Sequence, residues 1–86
     1  MEPKPKLDHS FCVKFREDIE RYGLKQVIRD LLFSTSEKVP LRKQYLAREC
    51  SKKKSFRAQF ENACAELKID CRLRPAIIAI QKEIIA

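Results

Sequence analysis

This chain has one glycine, no tryptophan, one histidine and no run of about 18 apolar residues among its 86. Each scarcity excludes something. A β sandwich or barrel needs many tight turns, and one glycine cannot supply them. Without a long apolar run no transmembrane helix is expected. Met1 to Ser10 is polar and charged, unlike the apolar centre of a secretory signal, so an intracellular protein is the default. A lone His9 near the N-terminus has no evident nucleophile partner, and no glycine-rich phosphate loop exists. These absences argue against an enzyme, and the reading requires no cofactor.

The four cysteines, Cys12, Cys50, Cys64 and Cys71, contain no CxxC pair. Structural zinc sites usually bring two ligands from one tight turn. His9 and Cys12 make at most half of such a site, so the expectation is no metal and free thiols used as small apolar residues. Pairing is open by count alone, but an intracellular chain keeps its thiols reduced.

What is present is apolar residue at helical spacing and charge of one sign in one place. Apolar content of 44% is enough for a core, and the length allows one domain. Residues 1–7 read as a flexible tail and 8–86 as a single helical domain. Phe11, Phe15, Ile19 and Tyr22 recur at spacings of four, four and three, one face of a helix that starts near Asp8 or Ser10. Gly23 fits a left-handed cap ending that helix, the alternative being a helix that runs through it. Leu24, Val27, Ile28, Leu31 and Leu32 mark a second helix to Phe33, stopped by Ser34-Thr35-Ser36.

Pro40 suits the first turn of a third helix over Leu41 to Cys50. Its inward residues are Leu41, Tyr45, Leu46 and Cys50. Ser51 to Ser55 reads as a polar break in which Ser55 caps a fourth helix, Phe56 to Leu67. Phe56, Phe60, Ala63, Cys64 and Leu67 form its apolar face. Lys68 to Arg74 is a connector or a short strand. Pro75 then opens a fifth helix, Ala76 to Ala86. The fold class is all-α: a compact bundle of four to five short helices, without the β-hairpin of a wing.

Net charge is +7, and all of it sits between Lys38 and Arg57. Eight cations there face a single acid, Glu49, while the rest of the chain balances. A localised positive field is the footprint of a polyanion site. The expected phosphate contacts are Arg42, Lys43, Arg48, Lys52, Lys53, Lys54 and Arg57. Gln59, with Asn62, has the amide chemistry that pairs with adenine edges. The plainer readings are a solubilising turn, a nuclear-import signal or a surface for an acidic protein. Phe11, Phe15, Phe56 and Phe60 are spaced as core, leaving Tyr45, between Arg42 and Arg48, as the aromatic available for stacking on a base.

In YLAREC followed by SFRAQFENACAEL, two short helices with Ala47 near their crossing, the chain resembles the helix-turn-helix and winged-helix superfamily. That resemblance implies a DNA- or RNA-binding module, nuclear by default, whose second helix approaches the nucleic acid. The opening Val39-Pro40-Leu41 with Tyr45 looks like LOTUS-type winged helices of germline RNA regulators. Asp70-Cys71-Arg72-Leu73 followed by AIIAIQKE is similar to a segment of the core histone three family, which implies a phosphate contact for Arg72 and a dimer fragment. The fifth helix is apolar around much of its circumference. It is either the central core helix or an interface, through Ile77, Ile80 and Ile84, for a protein partner or a second copy. An adaptor docking through that helix, or through the basic face, is the competing function.

Overall fold

The computed structural model describes residues 7–35 and 37–85 and places five α-helices and no strand among them. Most of the expected tail, Ser36 of the polar break and Ala86 of the fifth helix lie outside the described residues.

α1 (His9–Tyr22) begins where Asp8 Oδ1 accepts a hydrogen bond from the Phe11 N–H at 2.7 Å. This satisfies one of the otherwise unpaired donors of the first turn. Phe15 is buried, and Phe11 and Ile19 pack at the edge of the core. Tyr22, the last member of that stripe, is 58% exposed because the chain turns away directly after it.

The turn is Gly23, with φ 89° and ψ 151°. Its N–H donates to the Ile19 carbonyl at 2.8 Å, and its carbonyl accepts from the Val27 N–H at 3.1 Å. One residue therefore closes α1 and opens α2 (Leu24–Phe33). The sign of φ is that of the expected cap, but ψ is extended rather than left-handed helical. Glycine alone occupies this region without strain. α2 buries Leu24, Val27, Ile28 and Leu31 and ends at Ser34 in extended backbone.

α3 (Val39–Lys52) is longer than the expected Leu41 to Cys50, with Pro40 in its first turn. The expected break at Ser51–Ser55 shrinks to one residue, Lys53. α3 continues through Lys52, and α4 (Lys54–Leu67) starts after Lys53 alone. The Lys53 N–H donates to Glu49 at 2.9 Å, and its carbonyl accepts from Arg57 at 3.1 Å. Ser55 lies inside the first turn of α4 and does not cap it. The polar run is polar because it covers the solvent faces of two helix ends, and lysine propagates a helix well.

α4 buries Phe60, Ala63, Cys64 and Leu67. The connector after it is a set of turns, and the strand alternative is not found. Asp70 Oδ1 accepts the Arg72 N–H at 2.9 Å, a local side-chain turn. α5 (Arg74–Ile85) carries Pro75 in its first turn and packs on α3 and α4. Ile77, Ile80 and Ile84 are 0%, 3% and 7% exposed. These three are core, so the docking face proposed for them does not exist in this fold. They form one stripe at spacings of three and four that packs between the two neighbouring helices, while Ile78 stays 38% exposed on the outer face.

One hydrophobic core draws on all five helices. Phe60, Ile28, Leu46, Ile77 and Cys64 are its most enclosed side chains. Burying an aliphatic or phenyl group of this kind contributes about 1.5–3 kcal/mol. α2 packs on α4, α3 on α4 and α5, and α1 on α2. α1 reaches α3 through side chains: the Phe15 and Tyr45 rings meet edge to face at 5.2 Å. That arrangement leaves a groove between α1 and the α3–α4 corner. Among the described residues no helix is long and apolar enough to cross a membrane.

Candidate nucleic-acid interface

The fold sends the cations of the basic segment in several directions. Arg42 is half-buried, its guanidinium carbon 6.0 Å from the centroid of the Phe15 ring, in a hollow it shares with Asp18 and Asp30. Lys43 Nζ lies 2.9 Å from Glu83 Oε2 and ties α3 to α5. Arg57 Nε lies 3.5 Å from Glu61 Oε1 and borders a hollow with Cys50 and Ile84. Gln59, two residues further along α4, faces the opposite way, toward α1. Tyr45 is 3% exposed, so the stacking role considered for it is excluded by burial.

Arg48, Lys52, Lys53 and Lys54 gather at the α3–α4 corner, and all four are exposed. Arg48 and Lys52 are one turn apart on the same face of α3. Among the described residues, Arg48, Lys52 and Lys54 have no ion-pair partner, while Lys53 Nζ is 3.6 Å from Glu49 Oε2. The first turn of α4 starts here with no side-chain cap and no acidic residue. Its N–H groups and the helix dipole therefore add to the positive field.

The groove beside this corner has two lobes. The larger, about 320 Å³, is lined by residues that include Cys12, Arg16, Tyr45, Arg48 and Glu49. The smaller, about 210 Å³, includes Arg16, Glu49, Lys53, Phe56 and Gln59. Arg16, Tyr45 and Glu49 line both lobes and join them. The Arg16 guanidinium hydrogen-bonds the Tyr45 side chain, which holds its already high pKa higher still, with the negative charges of Glu49 and Glu20 adding to the effect. Glu49 is 7% exposed and is the one buried charged residue among those described.

Two residues of this site escape sequence reasoning, for different reasons. Arg16 lies outside the basic segment, in a part of the chain whose charges cancel, and only folding brings it across from α1. Glu49 does carry a signal, as the sole acid among eight cations. Among the described residues no group of three His, Cys, Asp or Glu side chains is arranged to hold a metal ion. Comparison of the chain with protein-family models, with curated proteins and with solved structures finds no match.

Proposed function

We propose that this chain is a non-catalytic module that binds DNA or RNA through phosphate contacts from Arg48, Lys52, Lys53 and Lys54. The observation that carries this reading is the corner itself. Three exposed cations without an ion-pair partner among the described residues, Arg48, Lys52 and Lys54, lie by an uncapped helix start, within the segment that holds the whole net charge of +7. Such contacts supply affinity and register without reading sequence. The helix-turn-helix motif joins its helices by three to four residues, where this chain has Lys53 alone. A corner gripping phosphates therefore suits the geometry better than α4 lying in a major groove. A nuclear location accompanies this reading.

Fluorescence anisotropy with short duplex DNA, single-stranded DNA and duplex RNA tests it. Four phosphate contacts on duplex DNA predict a loss of affinity of about 150-fold between about 50 and 200 mM salt. Replacing Lys52, Lys53 and Lys54 together by glutamate removes the binding while circular dichroism stays helical. If no nucleic acid binds at about 50 mM salt, the proposal fails, and the basic corner becomes a docking face for an acidic protein.

A further inference from the structure

A phosphate-binding corner has no use for a buried carboxylate, yet Glu49 sits in the wall common to both lobes of the groove. Its side chain is 10% exposed, and its closest charged contact, Lys53, is at 3.6 Å, beyond hydrogen-bond range. Among the described residues it accepts no hydrogen bond. Because no fully enclosed side-chain oxygen among the described residues lacks a partner, the carboxylate oxygens still reach solvent, and their open acceptor capacity faces the groove beside Lys53.

Building on the phosphate-binding reading, we propose that this groove takes one unpaired nucleotide, with Arg16 and Arg48 on its phosphate and Glu49 on its base edge, and prefers guanine. A carboxylate only accepts hydrogen bonds, so it selects an edge made of donors. Guanine sets its N1–H and N2 amino group side by side, a match for two carboxylate oxygens. Cytosine and adenine place one amino group beside a ring acceptor. Uracil and thymine place one N–H between two carbonyls, which the carboxylate repels. The guanine edge is free only when the base is unpaired, so the ligand is single-stranded.

The rest of the groove fits such a guest. Phe56 and Ile19 give the smaller lobe an apolar wall against which a base can lie. The larger lobe, at about 320 Å³, has the volume of a small-molecule site. Lys53 leaves Glu49 for a phosphate when the strand arrives, which frees both carboxylate oxygens for the base.

The test uses labelled short oligouridines carrying guanosine, inosine or uridine at the central position. Guanosine binds about tenfold more tightly than uridine, the effect of one good bidentate contact. Inosine, which lacks the N2 amino group, loses most of that advantage. Glu49→Gln binds all three alike and keeps its salt-sensitive affinity for oligouridine. A second readout is alkylation by a maleimide. The guanosine strand protects Cys12, which lines the groove, while exposed Cys71 on the connector reacts at its usual rate. Equal, salt-sensitive binding of the three strands by the unmodified protein, or Cys12 labelling at an unchanged rate, overturns the groove proposal and leaves the phosphate reading standing. Absence of any binding overturns both.

Discussion

Cys50 on α3 and Cys64 on α4 are both buried, and burial pushes each thiol up to about 11. Desolvation of the thiolate dominates in both. A pKa raised on folding above the ordinary 9.0 means that the folded state holds the proton more tightly than the unfolded chain. That contribution to stability is complete below about pH 9 and disappears as pH rises through 11. Urea midpoints measured from pH 8 to 11 should fall more steeply for the unmodified protein than for Cys50→Ala/Cys64→Ala. At neutral pH both thiols stay protonated and unreactive, leaving Cys12 and Cys71 as the accessible pair. Single residues were unevenly legible. Phe15, Phe60 and Leu46 announce themselves as core by spacing. The burial of Glu49 does not, because a glutamate among lysines reads as solvated until α1 is laid across it.

At the scale of elements, the two shortest links rest on opposite backbone chemistry. Gly23 needs a positive φ, while Lys53 joins its helices at φ −126° and ψ 115°, a conformation any residue adopts. A Cβ built on Gly23 meets nothing within 4 Å, so replacing it by alanine adds backbone strain and no clash. Gly23→Ala should therefore cost about 1–3 kcal/mol in urea denaturation, with the helical spectrum kept. The helices themselves are legible from apolar spacing, and α2 lies where its stripe and the hydroxyl run after it place it. The ends of α3 and α4 are not. Hydrophilicity marks exposure, and it takes backbone hydrogen bonds through Lys53 to distinguish an exposed helix end from a loop.

For the whole molecule, the sequence gives the sum of the charges and the fold gives their directions. Arg42, Lys43 and Arg57 add to the +7 but turn toward Phe15, Glu83 and Glu61, so the surface that remains is smaller than the segment. The apolar α5 is legible as unusual, yet its role as core depends on where α3 and α4 stand, which no local pattern states. The one-residue link between those helices has a further consequence, for proteases. Lys52-Lys53-Lys54 is on paper the richest target for trypsin, but cleavage needs several residues drawn out into extended chain. A corner anchored on both sides by helical hydrogen bonds cannot yield them without dismantling α3 and α4. Among the described residues, limited digestion should cut first at the Glu37–Lys38 turn or in the turns at 68–73, where Arg72 is 90% exposed, and mass spectrometry of the early fragments should find the lysine triplet whole.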